Sequence, residues 1–295
     1  MANSFIELFR ESELFKNNQL GIPIIDTQYV FISQNQNLLK EIIKIDRFIN
    51  DSLFIIHKEL GGIVDIQFLN YGYTQLVLVI TMMDETKYTL LVNQPSVEYG
   101  IGKREFNNLK RLSQRNPNLV VEPIIHIAKE QSNELYLTPY YYQSRCVGIE
   151  TTDWGIWIPE PYYHFKPFSQ EERRVINSSM VAALITLYDE ENKQGLSKVR
   201  LDCGDFMLLK GYEEEELIQD SIYKNLKLIA ARDSISINLE EYIERLRIEL
   251  TNNISPKDLI ILGKELQNPL TSEEIEKGIE YGLTLRNEKS MQIKF

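Results

Sequence analysis

The residues best placed to do chemistry are two aspartates in the segment VRLDCGDFMLLKG, residues 199–211. Asp202 and Asp205 flank a Cys-Gly pair, and an apolar, strand-like run follows them. Two neighbouring carboxylates can share the work of general acid and general base. The alternative is an ordinary turn, in which both carboxylates accept backbone N–H groups ahead of the strand. The segment alone leaves both interpretations open.

The composition is that of a folded globular protein and excludes the disordered class. Of 295 residues, 43% are hydrophobic and 25% are charged. The net charge of -11 argues against nucleic acid or an anionic membrane as the main partner, because both require basic patches. No apolar run approaches the ~18 residues that a spanning helix requires. We therefore expect a soluble protein with no membrane span and no nucleic-acid partner.

The cysteines and histidines show no pattern typical of a metal site or a catalytic triad. Cys146 and Cys203 are far apart in the sequence, which favours a reducing, cytoplasmic location. The N-terminus has no layout typical of a signal peptide. We expect structural roles for the three histidines: His57, His126 and His164.

Turn-forming residues and β-rich runs predict a five-stranded lobe that contains one helix. Before this lobe, residues 37–51 place their apolar residues on one helical face. The predicted order is three strands, one helix and two strands: 63–69, 74–83 and 87–93, the helix from Lys103, then 119–128 and 134–140.

The clearest helix follows Ser169, which precedes Glu172 by three residues in a capping-box pattern. After this helix, FMLL and NLKLIAAR predict a β-hairpin, and the pattern is helical from Leu239 onward. We therefore predict an α+β protein of two lobes. The predicted domains are an N-terminal helical extension (1–60), a β-rich lobe (61–142), an aromatic connecting segment (143–168) and a mainly helical lobe (169–295).

This order of elements, with a GDF turn before the hairpin, resembles the protein-kinase-like fold, closest to the aminoglycoside and choline phosphotransferases. The resemblance covers about residues 63–235 and is topological rather than motif-perfect. In that family, a lysine on the third strand contacts the phosphates and a helix glutamate holds it. The resemblance places Leu91 at the lysine position and Glu105 at the glutamate position, with Lys87 and Lys103 nearby. The alternative for Glu105 is a solvated or locally paired helix acid.

The resemblance also implies that Asp205 is the catalytic base, because CGDF matches the HGDF turn of the family. Asp202 is then its structural neighbour. The asparagine that binds metal follows five residues later in the family, where this chain has Lys210. The second metal ligand ends the next strand, where this chain has Ala230 and Ala231.

Asp233 lies close to that second metal position, after one arginine. The candidate cofactor-binding residues are therefore Glu105, Asp202 and Asp233. Phosphoryl transfer depends on magnesium and a cation to neutralise charge. Loss of the lysine and of both metal ligands therefore indicates a degenerate, pseudokinase-like site.

The segment from Tyr136 to Phe168 contains ten aromatic residues and four prolines, which excludes one regular helix. The resemblance makes it the hinge and an inserted connection between the lobes. Its rings either pack the seam between the lobes or form a binding surface, because Tyr and Trp combine contact area with a polar tip. The candidates for that surface are Tyr140, Tyr141, Tyr142, Trp154, Trp157, Tyr162 and Tyr163.

Three functions follow from these observations. The first is a non-catalytic, kinase-like protein that binds a protein or a small ligand near the aromatic seam and needs no cofactor. The second is a divergent small-molecule phosphotransferase that uses Asp205 as base with ATP and Mg²⁺. The third is an unrelated α+β assembly protein. The third is tested by the fold, because the kinase-like interpretation requires one five-stranded sheet and a pairing of FMLL with LKLIAAR.

Overall fold

The chain folds into two compact units in a computed structural model. The structure describes residues 45–71, 75–93, 97–129, 133–141, 144–150, 153–158, 164–197, 205–209, 219–231, 233–251 and 270–292. The first unit comprises Met1–Asn107, Glu122–Tyr140 and Glu160–His164; the second comprises Asn108–Val121, Tyr141–Pro159 and Phe165–Phe295.

The first unit contains one five-stranded antiparallel sheet with the strand order β1-β2-β3-β5-β4. A helix over 45–60, α1, precedes the sheet, and helix α2 (Ile101–Arg115) lies between β3 and β4 in sequence. The strands are β1 (Ile63–Tyr71), β2 (Gln75–Met82), β3 (Lys87–Asn93), β4 (His126–Lys129) and β5 (Asn133–Pro139). The predicted order of three strands, one helix and two strands is therefore confirmed.

Helix α1 packs into the core of this first unit. Its apolar residues recur at helical spacing, and the buried ones are Ile45, Phe48, Ile49 and Ile56. They belong to the same hydrophobic core as Leu76, Leu78 and Ile80, which alternate along one face of β2. Residues 45–60 are therefore part of the β-rich unit, and the predicted separate extension over 1–60 does not describe them.

The predicted strand over 119–128 is wrong in its first half. Val121 donates its N–H to the Leu228 carbonyl at 3.0 Å, and Leu228 donates to the Leu119 carbonyl at 2.8 Å. These bonds tie 119–121 to a strand of the second unit, so β4 begins only at His126. A β-rich run does not reveal which strand it will pair with.

The second unit contains four helices among its described residues: α3 (Gln170–Thr186), α4 (Gln219–Asn225), α5 (Leu239–Thr251) and α6 (Ser272–Gln292). The predicted capping box at the start of α3 is confirmed. Glu172 donates its N–H to Ser169 Oγ at 3.2 Å, and its carboxylate accepts the Ser169 N–H. The acidic first turn of α3 adds favourable charge at the positive end of the helix dipole.

The described parts of the predicted aromatic connecting segment, 143–168, form strands. The remaining strands are β6 (Arg145–Glu150), β7 (Asp153–Ile158), β8 (His164–Pro167), β9 (Gln194–Ser197), β10 (Phe206–Leu208), β11 (Leu226–Leu228) and β12 (Asp233–Ser236). One sheet has the order β11-β10-β6-β7-β8, and β9 pairs with β12 in a second one. The predicted hairpin is present as β10 and β11, but β6 to β8 extend it into five strands.

The fold is α+β and kinase-like. The five strands of the first unit form one antiparallel sheet, and β10 pairs with β11 in the other unit. These are the two pairings that the kinase-like interpretation requires. None of the described helices is long and apolar enough to cross a membrane.

Replacing Gly278 by alanine is expected to destabilise the second unit, although alanine favours an isolated helix by about 1 kcal/mol. A Cβ atom at Gly278 in α6 would lie 2.5 Å from the Ser178 carbonyl oxygen and 2.5 Å from Val181 Cβ in α3. We expect Gly278→Ala to lower the free energy of unfolding by about 1–3 kcal/mol in urea denaturation. Exposed Glu280→Ala on the same helix is the control, and a stabilised Gly278→Ala variant would contradict this packing.

Candidate functional site

Glu105 is a buried carboxylate that belongs to a polar cluster of the first unit. Its side chain is fully buried on α2. Gln75, at the start of β2, donates from Nε2 to Glu105 Oε2 at 3.1 Å and to Asn93 Oδ1 at 3.2 Å. The same amide reaches Tyr136 Oη at 3.5 Å. We call these four residues the Glu105 cluster. Because α2 turns Glu105 inward, this acid is not solvated, and the alternative of a locally paired helix acid stays open.

The β3 residue that shares a hydrogen-bonding partner with Glu105 is Asn93, and not Leu91. Asn93 pairs with Gln75 across the β2–β3 register, whereas Leu91 pairs with Val77 two residues earlier. Asn93 lies two residues after Leu91, the position that the resemblance assigns to a lysine. Lys87 begins β3 at the opposite end, six residues or ~20 Å away, which excludes it as a substitute.

A second buried carboxylate, Glu134 of β5, caps the N-terminus of α2. Its Oε2 accepts the N–H groups of Gly100 at 2.9 Å and Gly102 at 3.0 Å, and its Oε1 accepts that of Lys103 at 3.2 Å. Helix N-termini leave such N–H groups without intrahelical partners and attract negative charge. Glu134 therefore fixes the start of the helix that carries Glu105.

Asp205 lies in the second unit, directly before β10. Its carbonyl accepts the Ile229 N–H at 2.9 Å, so it faces the residue that follows β11. Asp233 begins β12 four residues later and pairs with Ser197, the last residue of β9. The open end of the hairpin thus brings Asp205 beside the segment that continues to Asp233. Asp202, Cys203, Gly204 and Lys210 lie outside the described residues.

The segment after β11 is apolar where the family has its second metal ligand. Ala230 and Ala231 occupy that place, and Ala231 is buried. The Ala231 carbonyl accepts a hydrogen bond from Asn108 Nδ2 at 3.0 Å. In the part of the chain that the structure describes, no group of three or more His, Cys, Asp or Glu side chains could hold a metal ion.

The aromatic residues divide into core and partly exposed positions. Trp154 is only 2% exposed and belongs to the core, so its assignment to a partner surface is wrong. Tyr140 and Tyr141 are half-buried, and Lys227 Nζ lies 5.8 Å from the centroid of the Tyr141 ring. The other candidates, Tyr142, Tyr162, Tyr163 and the side chain of Trp157, lie outside the described residues.

Asp189 anchors the turn before β9, and nothing in the sequence pattern had marked it. Its buried carboxylate accepts a hydrogen bond from Arg111 at 2.9 Å and forms an ion pair with Arg115. Asn192 donates to it from both its backbone N–H and its side-chain amide. Burial opposes ionisation, but the hydrogen bonds from Asn192 and Arg115 outweigh it and lower the pKa of Asp189 to about 2.

No protein-family model and no curated protein matches this chain. Among solved structures, the PK-1 kinase of Cydia pomonella granulovirus is 13% identical over 63% of this chain and 57% of that one, with a TM-score of 0.34. The BubR1 kinase domain is 12% identical over 81% of this chain and 71% of that one, with a TM-score of 0.37. A thermostable mutant of aminoglycoside phosphotransferase APH(4)-Ia is 13% identical over 48% and 41%, with a TM-score of 0.27. The chain spans just over half the length of the viral kinase.

Gln75→Leu is expected to destabilise the first unit, because it removes a donor from a fully buried carboxylate. We expect a loss of about 1–3 kcal/mol in the free energy of unfolding, measured by urea denaturation. Gln67→Leu is the matched control on the adjacent strand, because Gln67 is exposed and donates to exposed Asp65. Equal stability of the two variants would contradict the role given to Gln75.

Asp189→Asn is expected to lower stability at pH 7 by about 2 kcal/mol, because the folded-state pKa is about 2 against 3.8 for the unfolded chain. The contribution is complete above the unfolded pKa and is lost as the pH falls from about 4 to about 2. Urea midpoints of wild type and variant should therefore converge on acidification. Glu191→Gln is the control: it contacts the same Arg115 but is exposed, so it should change little.

Proposed function

We propose that this chain is a non-catalytic, kinase-like protein that acts by binding a protein or a small ligand. The observation that carries the proposal is the contact of Glu105 with the Gln75 amide at 3.1 Å. In an active site of this family, the helix glutamate holds a lysine that neutralises phosphate charge. An uncharged amide cannot supply that charge, and electrostatic stabilisation is usually the largest part of such catalysis.

The segment after β11, where the family has its second metal ligand, supports the same proposal. Ala230 and Ala231 present methyl groups at the place where the family has a carboxylate ligand. Asp205 and Asp233 are the carboxylates that the described residues offer at this end of the hairpin. A binding protein needs neither ATP nor Mg²⁺, and we propose that it uses no cofactor.

For the binding surface, we propose the tyrosines that follow β5. Tyr140 and Tyr141 are half-buried, which leaves part of each ring for a ligand or partner. Trp154 is removed from this surface because it is buried. Tyr142, Trp157, Tyr162 and Tyr163 stay proposed members of the surface on sequence grounds. The acidic net charge and the cysteine usage favour a cytoplasmic protein or small-ligand partner over nucleic acid.

A divergent phosphotransferase is the second candidate, with Asp205 as base and ATP and Mg²⁺ as cofactors. The observation that favours it is the hairpin end, where Asp205 lies beside the segment that leads to Asp233. In this arrangement the Asp205 carboxylate can serve as a catalytic base or as a metal ligand. The partner shown for Glu105 is the uncharged amide of Gln75, which is why we rank this candidate second.

A thermal-shift titration with Mg-ATP is expected to leave the melting temperature of the wild type unchanged. A bound nucleotide at 100 times its dissociation constant would add about 2.7 kcal/mol of stability, which this assay detects. Asp205→Asn should behave as the wild type does. Stabilisation by Mg-ATP that Asp205→Asn abolishes would overturn the proposal in favour of the phosphotransferase.

The Gln75→Lys variant tests whether a missing cation alone prevents catalysis or whether the site is also incomplete elsewhere. The variant places an ammonium group beside Glu105, and the exposed Gln67→Lys is its matched control. We expect Gln75→Lys to remain without phosphoryl transfer, because Ala230 and Ala231 still leave out a metal ligand. Activity in Gln75→Lys but not in Gln67→Lys would show that one amide alone had silenced the site.

A further inference from the structure

His126 begins β4 beside the start of α2, and the proposed function does not use its half-buried imidazole. Its side chain is only 13% exposed, and its Nε2 lies 3.4 Å from Glu134 Oε1. Its ring packs against Phe106 of α2, with ring centroids 5.6 Å apart. His126 therefore touches both the carboxylate that caps α2 and a side chain of the helix itself.

The capping carboxylate is tightly enclosed. A Cβ atom added to Gly102 would lie 3.2 Å from Glu134 Oε2 and 2.7 Å from Asn93 Nδ2. Glu134 already accepts three backbone N–H groups of the first turn. Nε2 of His126 has no hydrogen-bond partner among the described residues. A change in the charge of His126 therefore acts directly on the cap of α2.

We propose that His126 is an acid-sensitive latch on the first turn of α2: the neutral imidazole stays packed between Glu134 and Phe106, and protonation drives it out and releases the turn. The edge position of β4 makes this opening local. β4 has four residues and lies at the end of the sheet order, so it can open without disrupting the other strands.

Burial supports this direction, since it lowers the pKa of His126. The Glu134 carboxylate of β5 opposes that effect, and the Lys103 ammonium of α2 adds to it. Phe106 and Tyr136, the aromatic neighbours from α2 and β5, contribute no charge at neutral pH. Desolvation thus outweighs the attraction to Glu134, and the buried imidazolium is the unfavourable form.

The sign of the pH dependence follows from linkage. The folded-state pKa lies below the value of about 6.5 expected for an exposed histidine, so the open form binds more protons as the pH falls. The latch is closed above about pH 6.5 and weakens on acidification. Because Glu105 follows Lys103 by two residues on α2, release of the first turn also loosens the Glu105 cluster. Any ligand that requires an ordered α2 then binds less tightly in acid.

The test is an NMR titration of the full chain, in which the His126 ring and the amide exchange of Gly100, Gly102 and Lys103 are followed from pH 8 to pH 5. We expect a His126 midpoint below that of an exposed histidine, about 6.5. After correction for intrinsic rates, these three amides should lose protection severalfold at the acid end. A higher midpoint with better protected amides would mean an ion pair to Glu134 that tightens the turn, and would overturn the proposal.

Variants separate His126 from other titrating groups. His126→Gln and His126→Phe should both remove the acid-dependent loss of protection at α2. His57→Gln is the matched control, because exposed His57 accepts the Ile63 N–H elsewhere in the same unit, and it should keep the wild-type response. An unchanged acid response in either His126 variant would overturn the proposal. If both variants fail to fold, the wild-type titration still decides.

Discussion

Two carboxylates buried in one small lobe constrain how that lobe can be built. A buried charge without donors costs several kcal/mol, so Glu105 and Glu134 can stay inside only if hydrogen-bonding groups meet them there. Backbone N–H groups of the first turn of α2 satisfy Glu134, and the Gln75 amide contacts Glu105. Both contacts require the start of α2 to lie against the ends of β2, β3 and β5. The position of the helix is thus fixed by polar groups as well as by the apolar core.

The nature of these donors bears on function. A lysine opposite Glu105 would remain available to a phosphate, because one ammonium group has three donors. An amide such as Gln75 has two N–H donors, and its Nε2 already contacts Asn93 and Glu105 and reaches Tyr136. These contacts join α2 to β2, β3 and β5. They give the cluster a structural role, which is to stabilise the position of α2.

Local patterns predicted the parts of the fold that depend on neighbouring residues. The capping box of α3, the order of strands and helix along the first unit and the β10–β11 hairpin follow from turn residues and from periodicity, which act over a few positions. Pairing over long distances was not predictable. Residues 119–121 pair with β11 in place of extending β4, and β6 to β8 join the hairpin from the segment that was predicted as a hinge and inserted connection.

In the candidate site, too, local motifs were predictable and contacts between distant residues were not. Asp205 was singled out because it belongs to a motif, whereas the contact of Asn93 with Gln75 depends on strand register, which cross-strand partners set. Gln75, Glu134 and Asp189 lie far in sequence from the groups they bind, and a single amide or acid in a strand or turn has no local signature. Trp154 was placed on a surface because aromatic density does not distinguish the two faces of a strand.

The CGDF turn is therefore informative about architecture before it is informative about chemistry. The described contact that holds Asp205 at the hairpin is made by its backbone carbonyl, which accepts the Ile229 N–H. Every residue has a backbone carbonyl, so any residue whose conformational preferences suit this position can accept that bond. The backbone contact can therefore persist when the side chain has no role in catalysis. Asn retains the size and the turn preference of Asp. A change in ligand binding on Asp205→Asn would then report on the carboxylate itself, because the backbone that builds the corner is left intact.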